Sequence, residues 1–145
     1  MLAAVQNGDA RAVRRLMKKK GFAIDAVVHA ESSFTALHGA CAYRHLTIAT
    51  TLCDRGAKID LAEKRDGATP LFIAAQNGHE AIVRLLCDRG AQIDLARNDG
   101  RTPLHIATAF GHEATVRLLC DRSAKIDAAE CQGFTALHTA AIDGN

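Results

Sequence analysis

The sequence predicts an all-α solenoid of stacked helix-turn-helix units, and three observations lead there. A stretch beginning at Thr102, TPLHIATAFGHEATVRLLCDRSA, recurs slightly altered at Thr69 and Thr35 and starts a fourth time at Thr135. The opening threonines step by 34, 33 and 33 residues, a self-similar period that marks a repeat architecture. Within each full copy, one short apolar run follows the threonine and a second run of helical spacing follows that. A unit of this size cannot cover its own apolar faces, so neighbours must stack and stability becomes a nearest-neighbour sum. The chain reads as one domain over residues 1–145, with a degenerate repeat at 1–33, full or near-full repeats at 34–67, 68–100 and 101–133, and a truncated repeat at 134–145.

Aligning Gly8 with Gly78 and Gly111 starts the chain inside a first helix. Ala12-Val13 and Leu16-Met17 then fall where Ile82-Val83 and Leu86-Cys87 stand later. Gly21 is expected to end the second helix. Asp25 to Thr35 is ten residues, against eight from Asp94 to Thr102, so the first connecting loop is expected to be distorted. In the middle repeats Thr69-Pro70 and Thr102-Pro103 give the N-cap and first-turn order a helix start prefers. That helix ends near Gly78 or Gly111, where glycine supplies a left-handed C-cap. The second helix presents Ile82, Val83, Leu85 and Leu86 as a broad apolar face. Gly56 and Gly90 end this helix, and Ser123 replaces the glycine once, at an end expected to be strained. Asn145 falls where the fourth copy would turn into its second helix. The chain therefore reads as a piece of a longer array, its last helix frayed or covered by a partner.

The pattern resembles the ankyrin repeat. Thr102, Pro103, Leu104, His105 and Ala107 match its opening motif outright, and Thr69, Pro70, Leu71 and Ala74 match with Phe72 in the histidine place. Thr35, Leu37, His38, Ala40 and Thr135, Leu137, His138, Ala140 match with alanine in the proline place. Gly78-His79, Gly111-His112, Leu85-Leu86, Leu118-Leu119 and Gly90-Ala91 ahead of Ile93-Asp94 extend the likeness over nearly the whole chain. The resemblance implies β-hairpin-like loops between repeats, such as residues 94–100, and a concave binding surface built from the hairpin tips and the exposed ends of the first helices. It also implies a structural role for His38, His45, His79, His105, His112 and His138, which bond turns and neighbouring repeats. His29 lies outside the pattern.

Composition bounds the function further. Hydrophobic residues make up 48% of the chain and aromatics only 4%, which suits a tight interior of Ala, Leu, Ile and Val. The net charge of +2 argues neither for nor against nucleic acid. Five cysteines, an odd number without CxxC spacing, point to reduced thiols inside a cell. No run approaches the roughly 18 apolar residues a membrane helix needs, and no signal-peptide pattern opens the chain. A soluble intracellular protein, cytoplasmic or nuclear, is the expectation.

Chemistry is sparse. His79-Glu80 and His112-Glu113 look like the start of an HExxH zinc motif, but Val83 and Val116 occupy the second ligand place, so neither metal nor cofactor is expected. Cys53, Cys87 and Cys120 form a ladder on helices expected about 8–10 Å apart, beyond the roughly 7 Å a disulfide spans; they read as buried thiols. Cys41 reads as core and Cys131 as exposed at a hairpin tip. There is no phosphate-cradling GxxxxGK loop, no GxSxG elbow and no kinase signature. The acids recur with the period (Asp54, Asp88, Asp121; Asp60, Asp94, Asp127), as architecture requires, and an enzyme is not expected.

The informative positions are those where the repeats disagree. Carried onto this chain, the tips are residues 31–34, 64–68, 98–101 and 131–134, and the helix ends are 42–43, 76–77, 109–110 and 142–143. The candidate partner-binding residues are Phe34, Tyr43, Arg65, Asp66, Gln76, Asn77, Asn98, Asp99, Arg101, Phe110, Gln132 and Phe134. Four of the six aromatics fall on this set, and large apolar groups on a polar surface are the usual anchors of an interface. Phe34 and Phe134 have packing against an adjacent hairpin as their alternative. The function read from this is a non-catalytic protein-protein interaction module or scaffold, monomeric unless its open C-terminal end associates. Two alternatives stand beside it: the targeting arm of a larger enzyme or effector, and anion or nucleic-acid binding through residues 11–20, RAVRRLMKKK. That stretch carries six positive charges and no interleaved aromatics.

Overall fold

The computed structural model describes residues 1–19, 22–29, 33–131, 133 and 135–143. Gly21, Gln132, Phe134 and Asn145 therefore lie outside the described residues. Helices come in consecutive pairs: α1 (Leu2–Gln6) with α2 (Ala10–Met17), α3 (Ala36–Ala42) with α4 (Leu46–Asp54), α5 (Pro70–Gln76) with α6 (Glu80–Asp88), and α7 (Pro103–Ala109) with α8 (Glu113–Asp121). A further helix, α9 (Ala136–Asp143), opens the last repeat. The first helices stack as an inner row, α1-α3-α5-α7-α9, and the second helices as an outer row, α2-α4-α6-α8.

Local chemistry sets the helix starts. The hydroxyls of Thr35, Thr69 and Thr102 accept from the backbone N–H of the third helical residue, and proline follows two of them at the first helical position. His38 and His105 complete capping boxes by accepting the threonine N–H at Nδ1, at 3.1 and 3.3 Å. Leu37, Ile48, Leu52, Leu71, Phe72, Ile82, Val83, Leu86 and Leu119 are buried in one continuous interior, with Leu85 half-buried at its edge. Left-handed backbone falls at Ser123, as its place in the pattern requires, and also at Arg44, which stands where later repeats have Gly78 and Gly111.

The first connection is the irregular one. β1 (Val27–His29) pairs antiparallel with β2 (Phe34–Thr35) through a bulged register, which takes up the extra length between Asp25 and Thr35. The later connections are tight turns, closed by Glu63 N–H to the Ala68 carbonyl at 3.0 Å and Arg97 N–H to the Arg101 carbonyl at 2.9 Å. An isolated bridge joins Ala129 to Thr135. Among the described residues no helix is long and apolar enough to cross a membrane.

Two polar ladders join the first four repeats in turn, and a third runs from the second repeat to the fourth. His45, His79 and His112 donate from Nε2 to the carbonyls of Gln6, Ala42 and Gln76, at 3.1, 3.3 and 3.0 Å. Asp25, Asp60 and Asp94 accept from the N–H of Lys58, Gln92 and Lys125, at 2.9, 3.1 and 2.9 Å. On the outer row Arg89 pairs with Asp54 at 2.7 Å and Arg122 with Asp88 at 2.8 Å. His45, His79 and His112, with Asp25, Asp54, Asp60, Asp88 and Asp94, are thus engaged with the stack.

The thiols divide by position. Cys41 is fully buried and burial pushes its pKa up; Cys131 is exposed. Cys53, Cys87 and Cys120 are half-buried rather than buried. They sit near the ends of outer helices, where an arginine of the next repeat lies alongside, Arg89 for Cys53 and Arg122 for Cys87.

Candidate functional site

The three middle inner helices, α3, α5 and α7, are buried almost throughout: every residue of α5 from Pro70 to Ala75 is closed to solvent, as are residues 36–41 and 103–107. What they leave exposed is their two ends. A seven-residue helix is about 10 Å long, so the face carries two parallel rows about that far apart, one of C-caps and one of hairpin tips.

The C-cap row runs Asn7, Tyr43, Asn77, Phe110, one residue from each repeat at the same structural position. Tyr43 is 46% exposed and Phe110 57% exposed. Both rings are held from beneath by the histidine ladder. Phe110 stacks on His112 with centroids 6.1 Å apart and planes 12° from parallel, and Tyr43 leans on His45 at 6.3 Å. Gln6 Nε2 donates to the Tyr43 hydroxyl at 3.2 Å. Asn77 donates back to the Ile73 carbonyl at 2.8 Å, and Gln76 supplies the carbonyl that His112 bonds. Each exposed aromatic is therefore fixed by the joint between two repeats.

The tip row is stitched edge to edge. Asn98 N–H donates to the Asp66 carbonyl at 2.8 Å and Cys131 N–H to the Asp99 carbonyl at 3.1 Å. This approach is so close that a Cβ on Gly100 would lie 2.8 Å from the Cys131 nitrogen. Arg97 organises the row. Its guanidinium lies 5.2 Å from the centroid of the Phe72 ring, donates to Asp66 at 3.2 Å and pairs with the Asp99 carboxylate of its own turn. Arg97 holds the Asp99 carboxyl below its ordinary range, an effect burial opposes. Asp99 also accepts from the Arg101 N–H at 3.1 Å and lies 3.8 Å from the Arg101 Nε, and Arg65, Asn98 and Arg101 are exposed. Removing the guanidinium with Arg97→Ala should cost about 1–2 kcal/mol, since a partly shielded fork and a cation–π contact go together. Urea titration of wild type and variant measures it.

The structure thus brings Tyr43, Asn77 and Phe110 into one row and Arg65, Asp66, Asn98, Asp99 and Arg101 into another. Phe34 is half-buried, its ring 5.2 Å from that of His38. The side chains of Ile142 and Asp143, like Gln132 and Phe134, lie outside the described residues. Sequence reasoning missed Arg97. The signal available was Phe72, an aromatic in the place of a buried histidine, with an arginine in the loop one repeat later. Among the described residues no three His, Cys, Asp or Glu side chains are grouped so as to hold a metal ion.

Compared with known families, the chain matches the model described as ankyrin repeats (3 copies) over residues 1–63, 60–130 and 93–145. A search of curated proteins returned no match. The repeat period, the paired helices and this match agree, and the chain belongs to the ankyrin-repeat family.

Proposed function

We propose that the two rows form one protein-binding face, with Phe110 and Tyr43 as its apolar anchors and Arg65, Asp66, Asn98, Asp99 and Arg101 as its polar rim. Ankyrin repeats have a general role in protein-protein interaction. The observation that carries the finer reading is the exposure of two large aromatics at equivalent positions, each braced by an inter-repeat histidine. Hot spots are rigid aromatic anchors bordered by polar groups, and both conditions are met here. The stitched tips support binding with little backbone movement.

Capture of partners by the intact chain and by a Phe110→Ala/Tyr43→Ala double variant tests this, followed by titration of the captured protein. Each single substitution should weaken binding by more than about 1–2 kcal/mol with melting unchanged. Wild-type affinity in both variants would remove the face from consideration.

A further inference from the structure

The outer row holds a departure from its own ion ladder. Asp54 and Asp88, the last residues of α4 and α6, each take an arginine from the next repeat. The equivalent place on α2, counted from the helix start, is Lys18, and the arginine one repeat on is Arg55. A lysine therefore stands where Arg55 would find its carboxylate, and Arg55, exposed, has no ion pair among the described residues. The exposed residues of α2 and its C-terminal turn are Arg11, Arg14, Arg15, Lys18 and Lys19. They fall at i, i+3, i+4, i+7 and i+8, so the solvent-facing stripe is cationic from end to end. The matching stripe on α6 is Ala81, Arg84, Leu85, Asp88 and Arg89, mixed in charge. Like charges at i, i+4 are unfavourable in a helix, and this stripe has three such pairs.

We propose that the outer face of α2, extended by Arg55, is an electrostatic docking surface for an anionic lipid leaflet. Other polyanions fit it less well. A protein interface core is depleted in lysine and needs an apolar anchor, yet Val13 is buried and Leu16 and Met17 are half-buried. A stripe about 12 Å long also meets at most about four phosphates of one strand, where strong duplex binding takes roughly six to ten. A leaflet presents its charge in two dimensions, so Arg55 on the neighbouring helix counts with the other five. With no exposed apolar residue in the stripe, binding is peripheral and salt-sensitive.

Flotation with phosphatidylcholine vesicles containing about 30 mol % phosphatidylserine, at about 0.1 M salt, tests it. The chain should float with these vesicles and not with pure phosphatidylcholine. Each cation removed should lower partitioning about fivefold (about 1 kcal/mol), so Lys18→Gln reads as a fivefold loss. Reversal of Arg14, Arg15, Lys18 and Lys19 to glutamate should abolish flotation, with circular dichroism reporting the fold. Arg84→Glu with Arg117→Glu should leave partitioning nearly unchanged, since α6 lies two helices away, about 16–20 Å, beyond a screening length. Three results would each overturn the proposal: no preference for anionic vesicles, flotation insensitive to Lys18→Gln, or tighter retention on duplex DNA at equal salt.

Discussion

Acidifying the protein from pH 6.5 to about 4 should cost about 3 kcal/mol of folding stability through His38 alone, from a shift of about 2.5 units at about 1.4 kcal/mol each. His38 is fully buried, and burial lowers its pKa to about 4, against a smaller opposing influence of the Ala68 and Leu61 backbone. Bonding explains why the ring resists protonation. Nδ1 accepts the Thr35 N–H at 3.1 Å, so the neutral ring carries its proton on Nε2, a buried atom that faces the backbone of Ala68 and Leu61. A second proton would have to enter at Nδ1, where the capping box already uses the lone pair. Because the folded pKa is depressed, the unfolded chain takes up the proton first as pH falls. The contribution is therefore complete above pH 6.5 and is lost progressively down to about pH 4. His79, whose pKa is also lowered by burial, adds in the same direction.

The chain carries its own control for that experiment. Phe72 occupies the same place one repeat later, fully buried and untitratable. His38→Phe should flatten the stability profile between pH 6.5 and 4 relative to wild type, whatever it does to stability at neutral pH. Urea midpoints at several pH values measure the slope, and carboxylate titration common to both proteins cancels in the difference. Equal slopes would mean that His38 does not resist protonation in the fold.

What the sequence disclosed was whatever recurs. The threonine caps, the proline at the first turn, the apolar outer-helix face and the left-handed serine at 123 each stand at a place defined by several copies, so alignment within the chain exposes them. Features made by one repeat against a single neighbour were hidden. Arg97 aligns with Lys64 and Glu130, and no periodic rule assigns it a role; only contact with Phe72 and with two carboxylates does so. Asp66 and Asp99 were legible as tip residues, yet their engagement by Arg97 was not, and it leaves Arg65 as the more available charge of the proposed rim, since Arg101 itself pairs with Asp99. Phe34 shows the same limit from the other side. Its position marks it as a tip, while its burial depends on His38, which the strand-to-helix corner brings against it.

Gly78→Ala should destabilise the fold by about 2–3 kcal/mol, and Arg44→Gly, at the matching position, should stabilise it by about 0.5–1 kcal/mol. At Gly78 the backbone has φ +64°, and a Cβ built there would lie 2.6 Å from His112 Nδ1. Left-handed backbone costs a side-chain-bearing residue about 1–2 kcal/mol, and weakening the His112 bond to Gln76 adds about 1 kcal/mol. Arg44 already lives with both penalties. Its φ is +61°, and the His79 bond across that joint, at 3.3 Å, is longer than the 3.1 and 3.0 Å of the joints that have glycine. Glycine there would relieve the backbone and let His79 close, with part of the gain returned as the extra freedom of glycine in the unfolded chain, about 0.5–1 kcal/mol. Denaturant titration of the two variants reads both signs, and a neutral Gly78→Ala would show that the ring gives way freely. It should not be free to do so, because Phe110 stacks on His112. Displacing that ring moves the more exposed aromatic of the proposed binding face, so Gly78→Ala should weaken partner binding as well as the fold, although residue 78 need never touch the partner.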